Sequence, residues 1–418
     1  MKQESILKLR IKSKTRMNLH SLSFWILLCA NVFIGLVLLP IDSKAQWVFS
    51  QRETDSIINV TFEQIYSIEF DKASRNTHIL MSAFPDHPSG FFLDALLLWW
   101  KMMVEPGNAD YKDVFLDRLQ KTIDVSNKIL SEKEKSPMAL FFKGGAYGYR
   151  GRYYSNKGIW NKASTDVKIA FETLNEVKRI APNNHDVMLG TGLFNYFVEV
   201  LPQEYPVLSV LLYLFPKGDK QLGILQLKSA AEHSKYSKTE AKFSLLQIFA
   251  NLEQRPQEAL MLAEELYSMY PNNAVFHRYV AKSNYVLSNV FQAEQVWKEI
   301  IVNYKKQKPG YDIYLVREAL FYVGELLFLQ EEYGSSIRYF LKCDEASQRI
   351  DGSNSKFRSL SLIRIGNIYD ILLERETAIS YYSRVLSWDN NNSSHELAKK
   401  YLVFPYRLAT ATINNDDE

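Results

Sequence analysis

One spacing recurs along this chain. Ala73 is followed twelve residues later by Pro85 in "FPDHP", Ala170 by Pro182 in "APNN", Ala259 by Pro271 in "YPNN", and Ala378 by Asn390 in "DNNN". Each interval carries apolar residues at helical period and closes on a helix-stop signal. A helix that repeats in this way, small at one fixed point, reads as the second member of a stacked helix pair. The 418 residues then need no single globular centre, because successive pairs bury one continuous core. Only 17 Gly and 13 Pro are too few for the tight turns of an all-β chain.

The residues upstream of these intervals match one another as well. "RIGNIYDILLERETAISYYSRVL" sets Gly366, Tyr369, Ala378, Tyr382 and Val385 in register, and "YVGELLFLQEEYGSSIRYFLKC" does the same with Gly324, Leu327, Ser336, Phe340 and Cys343. Motifs that start near Glu240 and Ala274 show a 34-residue period, with Ala259 and Ala293 equivalent. This alternation of small and large positions resembles the tetratricopeptide repeat (TPR). The resemblance implies an all-α fold, a right-handed superhelical solenoid of antiparallel helix pairs. In this register the pairs begin near Thr54, Pro88, Pro137, His185, Glu240, Ala274, Arg317 and Ser359. Residues 46–135 form divergent N-terminal pairs and residues 136–404 the main array. The third pair carries an insertion around Gly148–Gly158, and a last helix from Ser394 to Leu402 caps the stack. From Pro405 to Glu418 the chain reads as a disordered tail.

The N-terminus reads as an export signal: six Lys and Arg residues between Lys2 and Arg16, an apolar run from Phe24 to Leu39, then Ser43-Lys44-Ala45 as a cleavage context. An uncleaved anchor is the alternative for residues 1–45. The segment holds seven basic and two acidic residues, so its removal takes the formal charge from +3 to −2. A near-neutral mature chain has no electrostatic footprint for nucleic acid. Cys343 alone remains of the two cysteines, so no internal disulfide forms.

The fourth pair is interrupted. "LGTGLFNYFVEVLP" reads as its first helix and "GDKQLGILQLKSAA" as its second, with Gly223, Leu227 and Ala230 at the small, large and small positions. Residues 203–217 lie between them as an insertion, whose apolar run Val207–Phe215 is too short to span a bilayer. It either folds back over the array or docks on a membrane surface. This segment, roughly residues 140 to 270, is similar to the central part of the tetratricopeptide-39 proteins and the mitochondrial inclusion-body-clearance proteins. That likeness implies a helical adaptor and carries no catalytic residue.

Candidate chemistry is sparse. No H-E-x-x-H, G-x-S-x-G or phosphate-loop pattern occurs, so neither a metal site nor a cofactor is expected. Cys343 falls at a buried small-residue position. In "KGGAYGYRGR", Gly144 and Tyr147 read as packing residues, whereas Arg150 and Arg152 stay open to an anionic partner. "LLLWWKMM", residues 96–103, reads as core or as an exposed docking stripe.

The TPR resemblance implies which positions of each first helix face a concave groove. They fall on Tyr149, Tyr196, Asn251, Arg278, Lys282, Tyr285, Glu325, Phe328, Asn367 and Asp370. Arg278 and Lys282, four apart, share a helix face. The function expected is a non-enzymatic exported scaffold that holds a protein or peptide in this groove, in the periplasm or at the outer membrane of a Gram-negative bacterium. The alternatives are a merely solvated groove, a cell-envelope hydrolase or transferase, and membrane docking through residues 207–215.

Overall fold

A computed structural model describes residues 52–108, 110–206, 208–213, 215–351, 355–389 and 393–407. The expected signal, residues 1–45, and the tail beyond Arg407 lie outside them. The described chain is helical throughout and runs as eight pairs. These are α1 (Arg52–Tyr66) with α2 (Phe70–Ala83), α3 (Ser89–Val104) with α4 (Tyr111–Glu132), and α5 (Pro137–Asn156) with α6 (Trp160–Ile180). Then α7 (Val187–Glu204) is separated by the short α8 (Leu208–Leu212) from its partner α9 (Lys220–His233). The later pairs are α10 (Lys238–Asn251) with α11 (Pro256–Met269), α12 (Ala274–Val286) with α13 (Val290–Lys305), α14 (Ile313–Leu329) with α15 (Tyr333–Asp351), and α16 (Lys356–Ile371) with α17 (Arg375–Leu386). A terminal α18 (Ser394–Val403) follows.

Local chemistry starts these helices. Asp219, Asn273 and Asp312 each accept a hydrogen bond from a first-turn amide: Leu222 N at 2.8 Å, Val275 N at 3.0 Å and Leu315 N at 2.8 Å. Pro137 and Pro256 open α5 and α11, where a missing N–H costs nothing. The turn inside a pair repeats one backbone device. Ile68, Gly158, Gln254, Ser288, Glu331 and Leu373 all have φ between +49° and +70° and sit between the first and second helix of a pair. A left-handed residue there reverses the chain in few residues.

The small and large positions do what their register implies. A Cβ on Gly324 would lie 2.8 Å from the Phe340 ring, and one on Gly366 only 2.5 Å from Tyr382. Ala73, Ala259, Ala293 and Ala378 are fully buried. The third pair differs from expectation: residues 148–156 continue α5 as helix, so the extra length makes longer helices, and only the turn from Lys157 remains as loop. At the other end the chain stays docked past Pro405. The Tyr406 backbone N–H donates to Asp370 Oδ2 at 2.8 Å, and its ring lies 5.4 Å from Tyr401.

The first two pairs do not simply begin a row. They fold across pairs five to seven, more than a hundred positions away. Trp100 of α3 is buried against Phe243 of α10 and Phe276 of α12, with ring centroids 5.3 and 5.5 Å apart. Asn273 Nδ2 donates to the Tyr66 carbonyl at 2.8 Å, and Lys235 Nζ binds Asp55 at 2.7 Å. Thus "LLLWWKMM" is core from Leu96 to Trp100. One hydrophobic cluster runs from Ile58 to Val280.

Candidate binding cavity

Closing the first pairs onto the fifth leaves a cavity of about 800 Å³. Its walls come from α1 and α3 (Phe62, Phe92, Leu96), from α5, α6 and α7, from the insertion (Tyr205, Leu208, Leu212), and from α10 (Glu240, Gln247, Asn251). The α6 and α7 walls are almost wholly apolar, with Val167, Phe171, Leu193 and Phe197 among them. The insertion helps to build this wall. Leu208 is buried, Phe215 stacks on Phe194 at 6.0 Å, and Tyr205 packs on Trp160 at 5.7 Å. Among the described residues no helix is long and apolar enough to cross a membrane.

The glycines of α5 fall into two kinds. At Gly144, Gly145 and Gly151 a Cβ would come within 3.0 Å of Leu174, Phe92 or Val167, so these glycines let neighbouring helices touch. At Gly148 the nearest atom is Ala170 Cβ at 4.0 Å. No close packing accounts for that glycine in mid-helix, and it lines the cavity.

Polar groups gather on the α10 side. Glu240 is buried and accepts from Trp100 Nε1 at 2.9 Å. Burial pushes its carboxyl above the usual range, against the opposing pull of the Arg152 charge. Burial, then the neighbouring Glu240, holds the Tyr149 hydroxyl protonated far above its ordinary range. Arg152 donates to Gln247 Oε1 at 2.6 Å and lies over the Trp99 ring at 5.0 Å. Arg150, by contrast, is spent on Asp166, held at 2.7 and 2.8 Å, and on Gln120 at 2.7 Å.

The ten positions expected in the groove separate into three groups. Tyr149 and Asn251 line the cavity. Arg278, Lys282, Tyr285 and Glu325 form a stripe along the first helices of pairs six and seven, tied to pairs five and eight. Arg278 holds Glu318 by two bonds of 2.5 and 3.0 Å, and Arg364 holds Glu325 at 2.6 and 2.9 Å. Lys282 Nζ reaches Asn251 Oδ1 at 3.4 Å, and Tyr285 packs edge-on to Tyr322 at 4.6 Å. Burial first, and then the Arg278 charge, lowers the Lys282 pKa.

The remaining four are interior. Tyr196 is fully buried and donates to Glu253 Oε1 at 2.6 Å. Phe328 lies beneath the Arg364 guanidinium at 5.1 Å. Asp370 accepts from Tyr382 at 2.8 Å and Arg375 at 2.7 Å. Asn367 is fully buried, with no hydrogen-bond partner for its amide among the described residues. These four are not open to a partner here. The docked Tyr406, beside Phe328 and bonded to Asp370, covers two of them.

The histidines and the cysteine have structural surroundings. His87 and His277 are each pushed down to about 4 by burial, with Ser89 Oγ at 2.7 Å from one and Tyr311 Oη at 2.9 Å from the other. Cys343 is completely buried, and burial pushes its thiol up to about 12. Among the described residues no group of three or more His, Cys, Asp or Glu is placed to hold a metal.

Several solved structures are similar to this chain. One is a tetratricopeptide repeat protein from Parabacteroides merdae, 13% identical, matched over 84% of this chain and 98% of its own, with a TM-score of 0.29. A second is the C-terminal part of a TPR repeat-containing protein from Cytophaga hutchinsonii, at 14% identity, 69% and 98% coverage and a TM-score of 0.40. A third is a Rap protein complexed with competence and sporulation factor, at 14% identity, 83% and 99% coverage and a TM-score of 0.40. No protein-family model and no curated protein matches the chain. The assignment as an α-solenoid rests on the helix pairs themselves.

Proposed function

We propose that the chain is a non-enzymatic protein-interaction scaffold, exported from the cytoplasm, that takes an acidic or aromatic segment of a partner protein along the stripe from Lys282 to Arg364. The observation that carries this reading is the bridging of consecutive first helices by Lys282–Asn251, Arg278–Glu318 and Glu325–Arg364. Side chains already held in pairs lose little freedom when a partner arrives. Lys282, its ammonium disfavoured by burial and by Arg278, gains most from a partner carboxylate. Tyr285 supplies rigid contact area beside it. The basic segment, apolar run and Ser-Lys-Ala context at the N-terminus support export.

The test is copurification from the native host with the wild type beside Lys282→Glu and Tyr285→Ala. Arg278 is left intact, because a second carboxylate against the buried Glu318 would disturb the fold. A partner retained by the wild type and lost from both folded variants supports the reading. The same partners on all three overturn the stripe as the contact surface. N-terminal sequencing of the protein from its host tests export separately.

A further inference from the structure

The cavity carries features that protein binding along the Lys282–Arg364 stripe does not use. Its volume of about 800 Å³ falls in the range that holds one medium-sized organic ligand, roughly 300–1,000 Å³. Its walls on α6, α7 and α8 are aliphatic and aromatic. A peptide entering there would bring an N–H and a C=O with every residue, each of which needs a partner that these walls do not offer. A hydrocarbon chain makes no such demand. On the side facing α10 stands Arg152, a permanent cation hydrogen-bonded to the neutral amide of Gln247 and close enough to the buried Glu240 to pull against the rise that burial gives its carboxyl. An apolar lining with one cation on one side is complementary to an apolar chain with one anionic head.

Gly148 adds an independent observation. Glycine in a helix interior costs about 1 kcal/mol against alanine, and at Gly144, Gly145 and Gly151 close helix packing supplies the reason. A Cβ on Gly148 would meet no packing neighbour nearer than 4.0 Å, and the residue faces the cavity. It lies one turn before Arg152, on the same face of α5. What the missing side chain provides is room in the cavity next to the cation.

We infer that this cavity binds a single-chain carboxylate amphiphile, a long-chain fatty acid, with its tail among α6, α7 and α8 and its carboxylate at Arg152. Tyr149, Gln247 and Glu240 stand around the head, and burial raises the Glu240 carboxyl above its usual range, which lessens its repulsion of a second carboxylate. Tyr205, Leu208 and Leu212 of the insertion close over the tail. This gives Tyr205, Leu208 and Leu212 of the insertion a role as cavity wall.

The test uses the full chain and purified fatty acids, with displacement of cis-parinaric acid as the readout. Affinity is expected to rise about fourfold per added methylene from decanoate upward, until the tail fills the cavity. Gly148→Trp, which sets an indole across the cavity, should weaken palmitate at least tenfold with an unchanged thermal melt. Gly148→Ala, whose Cβ would meet nothing nearer than 4.0 Å, should keep binding and serves as the conservative control. Arg152→Gln should weaken palmitate roughly ten- to hundredfold and leave hexadecanol unaffected, since only the charged head loses its partner. Absence of palmitate binding to the wild type overturns the inference. So does equal binding by Gly148→Trp, which would place the ligand outside this cavity. Equal loss of palmitate and hexadecanol in Arg152→Gln overturns the assignment of the head group. Loss of a protein partner in Lys282→Glu touches none of these outcomes.

Discussion

The indole Nε1 of Trp100 donates to Glu240 Oε1 at 2.9 Å across 140 positions of sequence, and neither group is open to solvent. This bond fastens the second helix pair to the fifth and closes one side of the cavity. Trp100→Phe keeps most of the packing but removes the indole donor from the buried carboxyl, at a cost of about 1–3 kcal/mol. Trp100→Ala also empties the space against Phe243 and Phe276, for about 3–5 kcal/mol in total. Urea unfolding measures both. If Trp100→Ala cost no more than Trp100→Phe, the ring packing would be contributing nothing to closure.

The same carboxyl makes stability depend on pH. Free in the unfolded chain, Glu240 ionises near 4.5, whereas burial raises its value in the fold. Above pH 4.5 the unfolded state therefore gives up a proton that the folded state still holds. Wild-type stability falls as pH rises through that window, and the fall ends once the folded value is passed. Glu240→Gln removes this slope. Its urea midpoint should gain on the wild type steadily from pH 4.5 upward. Parallel midpoints over that range would mean that the site hydrates Glu240 far better than its burial indicates.

Two glycine-to-alanine changes should have opposite signs. Gly366→Ala places a Cβ 2.5 Å from the Tyr382 ring and is expected to destabilise by about 1–3 kcal/mol through overpacking. Gly148→Ala meets nothing within 4 Å except Ala170 Cβ at 4.0 Å and should stabilise by about 1 kcal/mol through helix propensity. Differential scanning calorimetry of the two variants decides it. A destabilised Gly148→Ala would show that Gly148 has a packing role after all.

Much of the architecture was legible because it repeats locally. The interval from Ala259 to Pro271, and the pairing of Gly324 with Phe340 or Gly366 with Tyr382, reports contacts between neighbours in sequence, where periodicity is readable. Closure of the first pairs was not legible, because a bond between residues 140 positions apart leaves no periodic trace. Glu240 looks like any carboxylate in the first turn of a helix, where exposure is the ordinary condition. The groove positions inherited the same difficulty. Regular stacking would leave Asn367 and Asp370 open, yet Tyr406 folds back on the last pair and withdraws Asp370. The left-handed turn residues were hidden too, since Ile68 and Leu373 are types that avoid positive φ.

The bridge between Arg364 and Glu325 permits one further decision, between an ordinary surface ion pair and a member of a fixed stripe. Glu325 is buried and receives two bonds of 2.6 and 2.9 Å, while the guanidinium covers Phe328. An exposed pair contributes at most about 1 kcal/mol. Removing one member of a buried pair leaves an unmatched charge and costs about 3 kcal/mol or more. Arg364→Met is therefore expected to lose about 3 kcal/mol. Combining it with Glu325→Gln should recover most of that loss, because the uncompensated charge disappears with its partner. A double-mutant cycle in urea reads the coupling. A coupling below about 0.5 kcal/mol would class the bridge with ordinary surface pairs and remove the preorganisation on which the stripe from Lys282 to Arg364 depends.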